Sequence, residues 1–316
     1  MTKSWIVDQL NSHLMGSLLS GVHVPEIEHP LSVERKWQIW TELVFISICH
    51  QTNWDLLHNR IIEIASNDMF QLHPSRLRKM DRKQFNLLFT PGIDENRMRS
   101  GERTRILQCL GELAIEWIET GDVPLFKDVE MQLSGNHGTY HWLNQFPMFA
   151  EDPVQKKSRI LIHQLLRYGL ISVADPENIA PAVDYHLIRL YVRTARVRPV
   201  QTALIEQLKK GEGMRIGHVT ALRCAVEEAM HYSAAGAGLR IDELNYIEWQ
   251  IARSFCVRQQ ARCTLGPIPE KPIDKVVASL PSCKAGIGCP FVAECQGSYD
   301  SGLKQIAEPP TIKSYY

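Results

Sequence analysis

The sequence predicts an all-α fold of many short helices, on three observations. Apolar residues recur at three-to-four spacing through successive segments, beginning with Trp37, Trp40, Leu43, Val44, Ile46 and Ile48. Glycine and proline punctuate the chain between those segments. No stretch alternates apolar and polar residues long enough to argue a strand, which leaves helix-on-helix packing as the layer arrangement.

The elements follow in order. Residues 1–30 predict a short helix and then a loop containing Gly21, Pro25 and Pro30. The run from Ser32 to Ala65 predicts two helices broken at HQTN, residues 50–53, the second carrying Trp54, Leu57, Ile61 and Ile64. Residues 66–102, with Pro74, Pro91 and Gly92, read as polar and irregular. A helix over 103–119 carries Ile106, Leu110, Leu113, Ile115 and Trp117. Gly121, Pro124, Gly135, Gly138 and Pro147 make 120–150 a region of loops and short helices. Helices are then predicted over 155–168, 184–196, 199–211, 216–234 and 241–258, with Gly236 and Gly238 separating the last two. The tail from 264 is rich in proline and glycine.

A chain of 316 residues is long enough for one large domain or two interlocked ones. A content of 44% hydrophobic and 22% charged residues suits a soluble globular protein. The formal net charge is zero, so no global field draws the chain to nucleic acid or to an anionic membrane, and any such attraction must come from a local basic patch. There is no basic–apolar–small leader pattern and no run of about 18 apolar residues. The expected location is cytoplasmic, with no membrane partner. In that compartment eight cysteines point to metal binding or burial rather than to disulfides.

One stretch concentrates chemistry. Lys156 and Lys157 open an amphipathic helix just after Asp152-Pro153, and Asp184 begins another after Pro181-Ala182-Val183. An amine at one helix start and a carboxylate at the next suit a nucleophile and its electrostatic partner, although lysines there are commonly solvated and aspartates commonly caps. Tyr140, His141, Trp142, Phe146 and Phe149 form an aromatic cluster that serves either core packing or a base pocket. Lys156, Lys157, Arg159, Arg167, Arg189, Arg193, Arg196 and Arg198 make a local basic excess that tracks a phosphate backbone or lies on solvated helix faces. Five cysteines crowd the C-terminal region: Cys256, Cys263, Cys283, Cys289 and Cys295. Four thiolates close a zinc or iron–sulfur site, so one of the five is spare. Cys49, Cys109 and Cys224 read as core residues.

Three separated stretches resemble the helix-hairpin-helix base-excision DNA glycosylases. FISICHQTNWDLLHNRI (45–61) is similar to that superfamily's Gln-Thr helix break. AVDYHLIRLYVRT (182–194) resembles its Val-Asp-x-His-x-x-Arg helix, which begins with the catalytic aspartate. NYIEWQIARSFCVRQQARC (245–263) and CPFVAEC (289–295) resemble the iron–sulfur loop of the endonuclease III branch. The order along the chain is the same and the likeness covers roughly residues 33–296. The chain departs from the pattern in two places. The glycine-rich hairpin that grips a DNA phosphate is replaced by FPMFAEDPVQKKS (146–158), which is similar to the archaeal 8-oxoguanine glycosylase branch. The second and third cysteine ligands, normally two residues apart, are spread by an insertion or by a change of ligand.

The resemblance implies two helical subdomains with a cleft between them and a cysteine-rich C-terminal metal-cluster loop. On that basis residues 33–170 form a helical barrel subdomain, 1–32 plus 171–263 a second one, and 264–316 a tail completing the cluster site. It implies a monomeric glycosylase with AP-lyase activity on double-stranded DNA carrying a damaged or modified base. Lys156 would attack C1′, with Lys157 as the alternative amine, and Asp184 would assist. Gln51, His50 and Trp142 would bind the substrate, Gln51 by filling the space of a flipped nucleotide. The implied cofactor is a [4Fe–4S] cluster, with zinc as the alternative. Two other readings are an N-glycosidase of a free modified nucleoside or nucleotide, and a non-catalytic iron–sulfur module that binds nucleic acid.

Overall fold

The computed structural model describes residues 4–93, 98–120, 123–127 and 130–309. Gly121 and the last residues of the tail, 310–316, lie outside them. The protein is predominantly helical and divides into two compact units. One joins the N-terminal residues up to 24 with the chain from 180 onward, and the other is 25–179. The divisions thus fall at 24/25 and 179/180 rather than at 32/33 and 170/171, and the cysteine-rich tail belongs to the first unit rather than standing apart.

The chain enters through strand β1 (Trp5–Val7) and helix α1 (Gln9–Ser17). Asp8 caps α1, its Oδ1 accepting from the Asn11 N–H at 3.0 Å.

The 25–179 unit is built on α2 (Arg35–Ile48), in which every residue from Ile39 to Ile48 is buried. A helix apolar nearly all round belongs in the middle of a core. Its one buried carboxylate, Glu42, is held by His29 at 3.1 Å and His58 at 2.8 Å. Asn53 caps α3 (Trp54–Asn67). Residues 66–93 are not irregular: a 3-10 turn (Met69–Leu72), α4 (Pro74–Leu77) and α5 (Arg82–Phe89) fill much of them, while 94–97 lie outside the described residues. A capping box between Asp81 and Gln84 starts α5. Helix α6 (Ser100–Thr120) buries Thr104, Leu107, Gly111, Ala114 and Ile118 at helical spacing. After a 3-10 turn (Pro124–Phe126) come α7 (Thr139–Leu143), α8 (Pro147–Ala150) and α9 (Lys156–Arg167). Asp175 closes this region by accepting from the Leu133 and Ser134 N–H groups at 2.7 and 3.0 Å.

The other unit continues with α10 (Tyr185–Arg193) and strand β2 (Val197–Pro199), which pairs antiparallel with β1 through Trp5–Pro199 and Val7–Val197. Strands of three residues are too short to betray themselves by alternation. Next come α11 (Thr202–Lys210), α12 (Ile216–Ala237) and α13 (Ile241–Ser254). Gly236 does not separate helices: it lies inside α12, where its missing side chain lets the His13 carbonyl of α1 approach. Gly16 does the same for Ser233 on the facing side. Gly238, at φ +67°, ends α12. The tail carries α14 (Lys275–Ala278), α15 (Pro281–Lys284), α16 (Gln296–Tyr299) and α17 (Ser301–Lys304). It contributes its own apolar contacts, with Val277, Leu280, Phe291 and Ile306 buried. Among the described residues no helix is long and apolar enough to cross a membrane.

Candidate functional site

In the 25–179 unit, the segment before α9 is wound tightly around Asp152. Its buried carboxylate accepts from the Val154 N–H at 3.1 Å and the Lys156 N–H at 2.9 Å. Gln155 then starts α9 from a left-handed conformation, φ +50°. Lys156 and Lys157 are both buried. The Lys157 ammonium donates to the Ser47 carbonyl at 2.8 Å, and the buried Arg103 guanidinium donates to the Ile48, Met98 and His50 carbonyls. Two cations therefore satisfy carbonyls that the end of α2 leaves without helical partners. Burial pushes the Lys157 ammonium down to about 8, with the adjacent Lys156 charge adding to the effect and Cys49 opposing it. The same burial pushes the Cys49 thiol up.

His50 sits in this packing with its side chain fully buried, Nε2 3.4 Å from a Glu102 oxygen. Burial outweighs that carboxylate and lowers the ring to about 4, so His50 is neutral at ordinary pH. Gln51 follows at φ +51°, half-buried in the turn between α2 and α3. Trp142 packs its ring against Trp117 at 5.0 Å and Phe146 at 4.9 Å, half-buried in an aromatic cluster.

Asp184 belongs to the other unit. Residues 181–183 reach it in a pinned segment: the Ala182 N–H donates to Asn245 Oδ1 at 2.8 Å, and Arg223 donates to the Val183 carbonyl at 3.3 Å. Asp184 caps α10, with Oδ1 accepting from the His186 and Leu187 N–H groups at 2.8 and 3.1 Å. Its other oxygen accepts from the Trp249 indole N–H of α13 at 2.9 Å. Three donors from two helices hold this carboxylate in one orientation. Trp249 went unassigned in the sequence, although it lies within the stretch that leads to the first cysteine.

His186 lies beside Asp184, its ring 4.2 Å from Tyr185 and 6.3 Å from Trp249. Arg189 approaches its Nδ1 at 3.0 Å. An arginine can only donate, so Nδ1 is the acceptor and Nε2 carries the hydrogen. Burial first, then the charges of Arg189, Arg253 and Lys271, lower the ring to about 3 against the pull of Asp184. Burial and the Asp184 charge together push the Tyr185 hydroxyl up to about 12.

The basic excess along α10 resolves differently from either expectation. Arg189, Arg193 and Arg196 are buried, neither solvated nor set out along a surface. Arg189 binds Glu308 and the Cys256 carbonyl. Arg193 donates to the Ile306, Val257 and Arg258 carbonyls at 2.8, 2.8 and 3.1 Å. Arg196 pairs with the buried Glu248 and lies 3.6 Å over the Tyr191 ring. Arg189 and Arg193 fasten residues 306–308 onto the helix that Asp184 begins, and Arg196 ties that helix to α13.

The same fastening organises the cysteines. Arg193 donates to Cys256 Sγ at 3.5 Å, and the Cys295 thiol donates back to the Arg193 carbonyl at 3.8 Å. The Cys289 N–H donates to the Cys263 carbonyl at 3.1 Å, beside Gly288 at φ +104°, where a Cβ would crowd that carbonyl. Burial, then the charges of its neighbours Cys256, Cys295 and Cys263, pushes the Cys289 thiol well up, and burial with Cys256 and Cys263 pushes Cys295 up to about 11. Cys283 instead answers to burial and Ser282, and donates to the Gly288 carbonyl at 3.4 Å. Four thiols thus lie within electrostatic reach of one another. Among the described residues no three His, Cys, Asp or Glu side chains are gathered as a single metal ion would hold them.

No protein-family model matches the chain, and no curated protein matches it.

Proposed function

We propose that the chain is a base-excision DNA N-glycosylase with AP-lyase activity, acting on double-stranded DNA with a damaged or modified base. The observation that carries this reading is Asp184, a carboxylate immobilised by three hydrogen bonds at the start of a helix. A fixed negative charge there would stabilise the cationic sugar that develops as a glycosidic bond breaks.

The attacking group in this proposal is Lys157, because burial lowers its pKa to about 8 and so raises its share of free amine at neutral pH. Its nitrogen bonds to C1′ as the bond from C1′ to the base breaks. The base leaves with that electron pair and takes up a proton. The nitrogen gives up a proton, and its lone pair then expels O4′, which takes up a proton as the C1′–O4′ bond breaks and the iminium forms. That iminium loses a proton from C2′, and the C3′–O bond breaks with the phosphate as leaving group, which cuts the strand.

We assign a [4Fe–4S] cluster to Cys256, Cys263, Cys289 and Cys295, with Cys283 outside it. The donors are four thiols in a loose set, and a cluster spreads its thiolates more widely than one zinc ion does. Bound there, it would supply metal–thiolate bonds tying the 256–263 segment to the 289–295 segment.

One observation favours a second, monofunctional reading, in which Asp184 assists attack by water: the Lys157 amine already serves the Ser47 carbonyl. Borohydride reduction on a duplex carrying an abasic site separates the two. The proposal expects a covalent adduct with the wild type and Lys156→Ala but not with Lys157→Gln, provided each variant keeps its circular dichroism. Base release from lesion duplexes without an adduct selects the monofunctional reading. Turnover of free modified nucleosides alone selects an N-glycosidase, and duplex binding without turnover selects a non-catalytic module.

A further inference from the structure

We propose that the stretch from Arg76 to Lys83, in the 25–179 unit, is a docking surface for the phosphodiester backbone of a nucleic-acid duplex. The inference does not depend on the reaction proposed above, since a backbone contact needs neither Asp184 nor Lys157.

The chain as a whole balances 35 basic against 35 acidic side chains, but residues 69–93 hold five cations and one carboxylate. The cations are Arg76, Arg78, Lys79, Arg82 and Lys83, all of them exposed. The carboxylate, Asp81, is engaged as the cap of α5, accepting from the Gln84 N–H at 2.7 Å. Among the described residues none of the five cations meets a carboxylate.

The fold gathers these charges on one short layer. Leu77, Met80 and Phe85 are buried and anchor the stretch on the protein, so the positions between them are left to solvent. Helix α6 lies underneath. Its Gly111 has no room for a Cβ against the Arg78 nitrogen and the Pro74 carbonyl, and its Gln108 amide donates to the Met80 carbonyl at 2.7 Å. Turn hydrogen bonds from Arg78 to Pro74, Lys79 to Arg76 and Met80 to Leu77, at 3.0, 3.1 and 3.1 Å, keep the backbone coiled. At about 1.5–2 Å of rise per residue, the five charges fall within roughly 15 Å. A duplex carries one charge per about 1.7 Å of its axis, enough phosphate to face every cation of the patch.

Two features mark the patch as made for an anion. Arg82 and Lys83 occupy the first turn of α5, where the helix dipole favours negative charge, and they stand among like charges. That placement weakens the free fold, and a bound phosphate relieves it. The Arg76 guanidinium lies 5.8 Å over the exposed Phe70 ring, which is itself stacked on His73 at 5.4 Å. Stacking restrains the guanidinium and leaves its N–H donors to an acceptor. A membrane suits the patch less well. Phe85 and Phe89 are buried, so α5 has Leu87 as its exposed apolar side chain and no apolar face to insert.

The test uses the full-length chain and an undamaged fluorescent duplex, titrated over a range of salt. In Arg78→Gln/Lys79→Gln/Arg82→Gln/Lys83→Gln the slope of log affinity against log salt should fall by about 3, with affinity down at least about tenfold at low salt. Arg82→Gln/Lys83→Gln alone should show about half the change in slope, and the duplex should raise its melting temperature less than that of the wild type. Lys210→Gln/Arg215→Gln/Lys275→Gln/Lys284→Gln removes the same charge from exposed positions of the other unit and should stay near the wild type. Equal loss in the two fourfold variants reports net charge alone and overturns the inference, as does a wild type that binds no duplex. If the patch substitutions abolish binding to phosphatidylserine vesicles or poly-L-glutamate and leave duplex affinity intact, the partner is a membrane or an acidic protein and the inference falls. Patch-dependent duplex binding by a chain that releases no base and forms no borohydride adduct sustains the surface and removes only the glycosylase reading.

Discussion

Asp184 performs two jobs that substitutions can pull apart. Asparagine caps helices about as well as aspartate, so Asp184→Asn should unfold within about 1 kcal/mol of the wild type, having lost little beyond the indole contact. Alanine removes both the cap and the Trp249 bond and should cost about 2 kcal/mol. Single-turnover base release should fall at least about a hundredfold in both, since neither carries the charge. If Asp184→Asn is fully active, the carboxylate is a cap and nothing else. The buried histidines make a second residue-scale prediction. His50 is lowered to about 4 and His186 to about 3, both first by burial. An unfolded histidine binds its proton near 6.5, so below that pH the unfolded chain holds protons that the folded one refuses. Their stabilising effect is therefore complete above about pH 6.5 and declines as pH falls toward 4. For the fully buried His50 the slope is about 1.4 kcal/mol per pH unit. Urea unfolding at pH 7, 6 and 5 should show the decline, and His50→Asn should flatten it. A slope unchanged by that substitution would count against a neutral buried ring.

At the scale of elements, the long helices announced themselves and the short ones did not. Helix α2 is a run of apolar residues bounded by a polar start and the HQTN break, and α3 begins at an asparagine cap, so both are written locally. Within 66–102 the Asp81–Gln84 capping box was also legible as a helix start, but Pro74 and Pro91 drew attention to breaks instead. Helix α4 is a single turn opened by a proline, below what periodicity can register. Gly236 misled for a different reason: a glycine inside a helix looks like a terminus until the partner helix is known. Here α1 crosses α12 with Gly16 and Gly236 giving each backbone room. Gly236→Val should cost about 1–3 kcal/mol through overpacking. Hydrogen exchange should show faster opening of α1 in that variant, and equal protection would mean that the crossing tolerates a side chain.

For the molecule as a whole, buried arginines hold the C-terminal segment to α10. Arg189 binds Glu308 and Arg193 the Ile306 carbonyl, while Arg196 pairs with Glu248 of α13. Replacing Arg196 with methionine should cost about 3–5 kcal/mol, because it strands the buried Glu248 without its partner. The cysteine assignment is tested alongside it. Purified Cys283→Ser should keep the iron content and visible absorption of the wild type, whereas Cys289→Ser should lose both. Equal loss in the two would return Cys283 to the ligand set, and colourless wild-type protein with bound zinc would replace the cluster.

Helical class and the positions of the long helices could be named from the string of residues. Each depends on spacing over a turn or two, or on a residue type that does one kind of work. That the arginines of α10 are interior, and that Trp249 orients Asp184, could not be named that way. Those facts rest on burial and on pairings such as Arg189 with Glu308, 119 positions apart, and no local pattern encodes a partner at that distance.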